Sequence, residues 1–273
     1  MIIGGVGCGK GSGCRGEIVK ETPNKIKTNI SEINDALIEA AKEDNISELN
    51  KAIEAGASID YQSKKRLDGS NWAYFSSLHV VCFRGILSIL LRLFELNANV
   101  NIKAEKGITP LYVASYNGHH PVVEALLQHG AAVDKARNDT GVTPLYAASY
   151  KGHHLVVEAL LQHGAVVDKA RTTDGATSLY VASENGHHPV VEALLQHGAA
   201  ADYLANNGET PLSIASSKGK LDVVKLLRYF TKPTSEHSVT MVMLMLEELA
   251  VYHHLECLSI IELFQMMNEK STY

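Results

Sequence analysis

Residues 4–11 have the sequence GGVGCGKG, which is close to the nucleotide phosphate-binding pattern G-x-x-x-x-G-K-[ST]. Gly4, Gly9 and Lys10 match this pattern, but Gly11 replaces the hydroxyl residue that would hold Mg²⁺. Such a loop also needs a strand before it and a helix after it, and only three residues precede Gly4. The context favours a flexible Gly-rich head, and a nucleotide-binding enzyme or switch that uses this loop remains the alternative function.

Histidine is frequent, with 13 residues, and three His-His pairs invite a metal-binding interpretation. Adjacent residues on a helix do not share a face, and no Cys or carboxylate completes a four-ligand zinc set at a sensible spacing. No Ser, His and Asp residues stand in a context typical of nucleophilic catalysis. The sequence therefore predicts no metal, no cofactor and no catalytic residue. The pairs, expected to be structural or exposed, are His119 with His120, His153 with His154 and His187 with His188.

Composition narrows the class of protein. The chain has 273 residues, 45% of them hydrophobic, and a net charge of −5, which offers no basic field for nucleic acid or anionic lipid. No stretch reaches the ~18 apolar residues that a membrane helix needs. The cysteines form no C-x-x-C pair and no evident disulfide framework, so we expect a reducing compartment, the cytoplasm or the nucleus. They are Cys8, Cys14, Cys82 and Cys257.

A repeat of 33 or 34 residues fills the middle of the chain. The segment TPLYVASYNGHHPVVEALLQHGAAVDKAR from Thr109 differs at 4 of 29 positions from TPLYAASYKGHHLVVEALLQHGAVVDKAR, which begins at Thr143. Further copies begin at Thr177 and Thr210, and weaker ones at Ser76 and Asp35. The six units span about 31–63, 72–103, 104–137, 138–171, 172–204 and 205–231, between a head over 1–30 and a tail over 232–273.

Each unit has the signals of two short helices. Thr109 is a helix N-cap residue, and Pro110 follows at the first helical position. Gly118 is suited to end the first helix in a left-handed conformation, and Val122 and Leu126 supply the apolar face of a second helix. One such unit cannot bury its apolar face alone, so the units must stack on one another.

The T-P-L-[HY]-x-A opening, the central G-H, the V-V-E-x-L-L run and the closing G-A-x-V-[DN] resemble ankyrin repeats. The resemblance covers about three quarters of the chain. It implies an all-α solenoid of helix-turn-helix units with β-hairpin fingers, acting as a non-catalytic protein-protein interaction module or scaffold with no small-molecule substrate. The usual His of T-P-L-H stands only at His79, so the hydrogen bonds between fingers are expected to differ elsewhere. The residues in its place are Tyr112, Tyr146, Tyr180 and Ser213.

The resemblance also implies a site: ankyrin proteins typically bind a protein through the concave face, built from the fingers and the exposed side of each first helix. The residues just before the central Gly are Tyr116, Asn117, Tyr150, Lys151, Glu184, Asn185, Ser217 and Lys218. The finger positions are Lys103, Glu105, Lys106, Ile108, Arg137, Asn138, Asp139, Val142, Arg171, Thr173, Asp174, Ala176, Asn206, Asn207 and Glu209. Identity of the partner and oligomeric state stay open.

Two segments lie outside the repeat pattern. An insert over 64–75 carries the only tryptophan, Trp72, which is expected to pack on the cap-like first repeat or, alternatively, to anchor a partner. The tail contains the Met-rich run SVTMVMLMLEELAVY, which predicts one or two helices. A cap over the last repeat is the preferred interpretation, because the ends of a solenoid need caps. A helix for a partner and a dimer contact are the alternatives.

Overall fold

The computed structural model describes residues 23–66 and 73–231, and twelve α-helices and one 3₁₀ turn occupy these two ranges. Each unit contributes an inner helix, which comes first, and an outer helix, which follows it. The inner helices are α1 (Pro23–Lys42), α3 (Ser77–Arg84), α5 (Pro110–Asn117), α7 (Pro144–Lys151), α9 (Ser178–Asn185) and α11 (Pro211–Ser217). The outer helices are α2 (Ile46–Glu54), α4 (Leu87–Glu95), α6 (His120–Gln128), α8 (His154–Gln162), α10 (His188–Gln196) and α12 (Leu221–Phe230). The 3₁₀ turn covers Glu105–Gly107.

The boundaries of the inner helices follow the expected chemistry. The Thr109 side chain accepts a hydrogen bond from the backbone N–H of Tyr112, with Pro110 at the first turn, and Thr143 does the same for Tyr146. Gly118 ends α5 in the left-handed conformation with φ +78°. At the start of the chain α1 begins at Pro23, within the segment that the sequence assigns to a flexible head.

One continuous apolar core runs through the stack. Leu111 and Leu126 of the third unit are fully buried, and Leu145 and Leu160 occupy the equivalent places in the fourth. Neighbouring inner helices pack more closely than neighbouring outer helices, which makes the inner side of the stack the concave one. This curvature makes the inner helices and the fingers one concave surface.

The fingers are tight turns, and no regular strand occurs in the two described ranges. In the finger before α7, the N–H of Arg137 donates to the Val142 carbonyl at 3.0 Å, and the N–H of Asn138 donates to the Lys106 carbonyl of the preceding finger at 2.8 Å. The following finger repeats both bonds, the second from Thr172. Hairpin-like closure and one bond per neighbour therefore hold the fingers in a row.

A ladder of side chains also ties each unit to the next. The carboxylate of Asp134 accepts a hydrogen bond from the N–H of Val166, and Asp168 accepts one from Ala200. Earlier in the chain, the Asp60 carboxylate accepts from the Asn99 N–H at 3.0 Å, and the Asn101 side-chain oxygen accepts from the Ala132 N–H at 2.8 Å. Each bond satisfies a backbone donor just after an outer helix, where no helical partner exists.

Several sequence predictions concern residues outside the described ranges. These are the phosphate-loop pattern of residues 4–11, Trp72 and the tail over 232–273. Within the described ranges, no helix has the length and apolar character needed to cross a bilayer.

Candidate protein-binding surface

The two tyrosines predicted to lie on the concave face are exposed there. Tyr116 and Tyr150 occupy the last turns of α5 and α7 and are 37% and 45% exposed. Their position places them ahead of the left-handed glycines, where the inner helix ends and the chain turns towards the outer helix. A large aromatic side chain that is left half open to solvent is well suited to contact a partner.

The histidines after these glycines are structural. The ring Nε2 of His153 donates to the Tyr116 carbonyl at 3.1 Å, and Nε2 of His187 donates to the Tyr150 carbonyl at the same distance. His119 binds the Phe83 carbonyl in the same way. Burial lowers the pKa of His153, which keeps its ring neutral. These bonds fix the carbonyl ends of the inner helices that carry the exposed tyrosines.

In two of the three pairs, the second histidine faces a glutamate on its own outer helix. His120 lies 3.6 Å from Glu124, and His154 lies 3.2 Å from Glu158. Within residues 23–66 and 73–231, no three His, Cys, Asp or Glu side chains converge on a possible metal position.

His79 shows what the histidine of the T-P-L-H position does in this chain. Its Nε2 donates to the Ile108 carbonyl of the next finger at 3.1 Å, and its Nδ1 accepts from the Ser76 N–H. Burial lowers the pKa of His79 to about 4. A second proton, on Nδ1, would point at the Ser76 N–H, which is itself a donor. The neutral ring with its proton on Nε2 is therefore the form that satisfies both hydrogen bonds.

Where tyrosine replaces this histidine, the link to the next finger is made by other atoms. Arg137 donates to the Tyr112 hydroxyl at 3.4 Å, and the Tyr180 hydroxyl donates to Glu209 at 2.9 Å. The Arg171 guanidinium lies 5.3 Å from the centroid of the Tyr146 ring. Burial raises the pKa of Tyr146 to about 12, so its hydroxyl stays protonated at neutral pH. The network between fingers therefore differs from that of the His79 unit, as expected.

Two of the finger arginines are neutralised within their own fingers. Arg137 binds Asp139 through two hydrogen bonds of 3.0 and 2.7 Å, and Arg171 binds Asp174 in the same two-pronged manner. The hydrogen bonds from these arginines lower the pKa of both carboxyls. Asp139 and Asp174 thus hold the arginines against the tyrosines.

Lys151 has a different environment. Its ammonium lies 4.6 Å from the centroid of the Tyr116 ring and 5.4 Å from that of the Tyr150 ring. At the equivalent place two units later, Lys218 lies 3.7 Å from the Glu184 carboxylate instead. The structure therefore brings Tyr116, Tyr150 and Lys151 together as one exposed group.

Three finger positions assigned to the site are wrong as exposed contacts. Ile108 is 2% exposed, Val142 is 9% exposed and Ala176 is as buried as Ile108. Each directly precedes the capping Thr of an inner helix and belongs to the continuous core. An apolar side chain at this position packs between two units, and the partner cannot reach it.

The remaining site residues divide into structural and open ones. Asn117 and Asn185 donate to carbonyls of their own helices at 2.8 Å, and the Glu105 carboxylate accepts from the Ala73 N–H at 2.9 Å. Asn207 bonds with Glu209 inside the last finger. Asp139 and Asn207 are exposed in addition to being bonded within their fingers. The other exposed members are Lys103, Lys106, Asn138, Lys151, Thr173, Asn206, Ser217 and Lys218.

One neighbour of the surface was missed by sequence reasoning. Lys135 stands two residues before Arg137, in the finger that leads into α7. It lies beside Lys103, which belongs to the finger that leads into α5. Contact with Lys135 lowers the pKa of Lys103. The shared V-D-K-A-R segment of the third and fourth units marks Lys135 in the sequence, but which residue it faces depends on the stacking.

The comparisons with known proteins agree with this architecture. The model of the family of ankyrin repeats (3 copies) matches residues 78–171 and 166–237, which together are more than half of the chain. The chain belongs to the ankyrin repeat family, as its repeat pattern predicts, and the all-α solenoid is confirmed. Ankyrin repeats are in general protein-protein interaction modules and are typically non-enzymatic.

The chain is also similar to a curated protein, Delta-latroinsectotoxin-Lt1a of Latrodectus tredecimguttatus. The two are 32% identical over 120 residues, which cover 42% of this chain. The match spans only 9% of the length of that relative.

Proposed function

We propose that this protein is a non-catalytic binding module that holds a protein partner on the concave surface of its third to fifth units. The observation that carries the proposal is the exposed group of Tyr116, Tyr150 and Lys151, in a stack where most other large apolar side chains are buried. Membership of the ankyrin repeat family supports a protein partner rather than nucleic acid or a small molecule.

The surface is preformed, which favours binding. Histidine bonds fix the carbonyl ends of α5 and α7, and hydrogen bonds between neighbouring fingers hold the finger row. A rigid surface loses little conformational entropy when a partner binds, so more of the contact energy contributes to affinity. Tyr116 and Tyr150 are the expected hot spots, since Tyr is enriched among residues whose truncation costs most binding energy.

The test is affinity capture with mass spectrometry, comparing the wild type with a Tyr116→Ala/Tyr150→Ala double variant of matched thermal stability. We expect a set of proteins that the wild type retains and the double variant loses. The matched control is Leu91→Ala/Leu155→Ala, which removes two exposed side chains from the outer helices α4 and α8. Capture that is unchanged in the tyrosine variant, or lost only in the control, would reject the concave surface as the binding site.

A further inference from the structure

The cations of the concave surface differ in whether a carboxylate lies beside them. Arg137, Arg171 and Lys218 each have a carboxylate close by, namely that of Asp139, Asp174 and Glu184 respectively. Lys151 forms no ion pair with any carboxylate of the described residues, and two tyrosine rings flank its ammonium instead. The two rings hold this ammonium at an exposed position, where an anionic group of a partner can reach it.

A second place of uncompensated positive charge lies in the fingers that lead into α5 and α7. Lys103 and Lys135 belong to these two neighbouring fingers and lie side by side. Neither forms an ion pair with a carboxylate of the described residues, so the two ammonium groups repel each other. An anion between them would relieve this repulsion.

The excess of positive charge is local. In the fifth unit Glu184 replaces the exposed tyrosine, and Glu209 lies in the last finger. The overall charge of −5 does not oppose it, because residues 232–273 contain six glutamates and two lysines and so account for −4. The third and fourth units are balanced in net charge, so the positive charge is confined to Lys103, Lys135 and Lys151, which have no ion pair among the described residues, and carboxylates lie at the far end of the surface.

We propose that the concave surface of the third and fourth units, together with the finger that leads into α5, binds an acidic peptide segment of the partner protein. Carboxylates of that segment meet Lys151 and the pair of Lys103 and Lys135, and apolar groups between them pack on the rings of Tyr116 and Tyr150. Charge complementarity of this kind sets specificity and the rate of encounter more than total affinity. The proposal rests on the proposed function, and it adds the chemical class of the ligand.

The experiment is selection from a phage-displayed library of random dodecapeptides on the immobilised full-length chain. We expect the selected peptides to be enriched in Asp and Glu over Lys and Arg. The same selection on Lys151→Glu should lose this enrichment, and so should selection on Lys103→Glu/Lys135→Glu. Lys225→Glu changes an exposed lysine of α12, outside the concave surface, and serves as the charge-matched control that keeps the enrichment.

Fluorescence anisotropy of one selected peptide then measures the effect. Lys151→Glu should weaken its binding by about tenfold or more, and Lys225→Glu should leave it nearly unchanged. Affinity for the wild type should fall as salt rises from about 50 mM to about 300 mM, because exposed ion pairs are screened.

Other outcomes separate the two proposals. Selected peptides that need Tyr116 and Tyr150 but carry no acidic bias would overturn the acidic ligand and leave the proposed function standing. A failure to select any peptide that depends on these tyrosines would count against both. A synthetic peptide of residues 232–273 is also tested as a competitor. If it displaces the labelled selected peptide as efficiently as the unlabelled selected peptide does, the proposal of a separate partner is overturned, and the acidic ligand is the chain's own segment.

Discussion

The outer and inner helices of the third, fourth and fifth units differ in how freely their sequences vary. The outer helices are HPVVEALLQ in α6 and α10 and HLVVEALLQ in α8, and the one substituted position, Leu155, is 58% exposed. The inner helices end in YN, YK and EN. Close packing between units restricts the buried row of the outer helices, because a change of even one methylene is felt there. The inner helices differ at four positions. Two of these, Pro110/Pro144/Ser178 and Val113/Ala147/Val181, are buried, and the two charge-changing ones, Tyr116/Tyr150/Glu184 and Asn117/Lys151/Asn185, lie at the helix ends outside the core.

Removing a buried outer-helix side chain should have the largest effect. Leu160 of α8 is fully buried, so Leu160→Ala leaves a cavity in the core and should lower the free energy of unfolding by about 2–5 kcal/mol. Urea denaturation followed by circular dichroism measures this loss. Leu155→Ala in the same helix should cost less than about 0.5 kcal/mol. Equal losses in the two variants would contradict the distinction between buried and exposed rows.

His79 should make stability depend on pH. Its pKa is about 4 in the folded chain, below the ordinary value of 6.5, so only the unfolded chain binds the proton between these two pH values. The stabilisation is therefore complete above pH 6.5 and is lost as the pH falls towards 4, by up to about 3 kcal/mol.

Urea denaturation at a series of pH values checks this dependence. In His79→Gln the free energy of unfolding should fall less steeply between pH 6.5 and 4, whatever its level at neutral pH. Leu155→Ala changes an exposed, non-titrating side chain of α8 and should retain the slope of the wild type. An unchanged slope in His79→Gln would show that other groups cause the pH dependence.

Two Gly→Ala variants, one with a histidine ring beside the glycine and one without, measure the energetic cost of crowding that ring. Gly152 has φ +77°, and a Cβ there would lie 2.6 Å from Nδ1 of His187. Gly164 has φ +80° with nothing within 4 Å. Both alanine variants incur backbone strain of about 1–3 kcal/mol, and Gly152→Ala should cost more because the His187 ring must also move. Thermal denaturation compares the two midpoints, and equal shifts would show that the ring moves at no cost.

The smallest effect concerns the ladder between units. Asp168→Ala leaves the Ala200 N–H without its partner and should cost about 1 kcal/mol. Asp168→Asn should restore most of the loss, because Asn101 accepts the equivalent bond in an earlier unit. Urea denaturation of both variants measures the difference. If Asn were as damaging as Ala, the ladder would act through charge rather than through this hydrogen bond.

Much of the fold could be predicted because its signals are local. Thr109, Pro110 and Gly118 define one inner helix within ten residues, and the repeated pattern shows that such units must stack. The same logic correctly placed Tyr116 and Tyr150 on the exposed side. The assignment of Ile108 and Val142 to the partner surface was wrong, because their burial depends on the neighbouring unit.

The sequence by itself determined the family and the boundaries of the inner helices that begin after a capping Thr, since caps, glycines and apolar spacing act within one unit. Only the tertiary structure decided which distant atoms meet: Tyr112 with Arg137 of the finger before α7, His153 with the Tyr116 carbonyl, and Lys103 with Lys135. These partners are 25 to 37 residues apart and meet because one unit stacks on the next. A period in the sequence shows that units are neighbours, and the rotation between them decides which side chains touch.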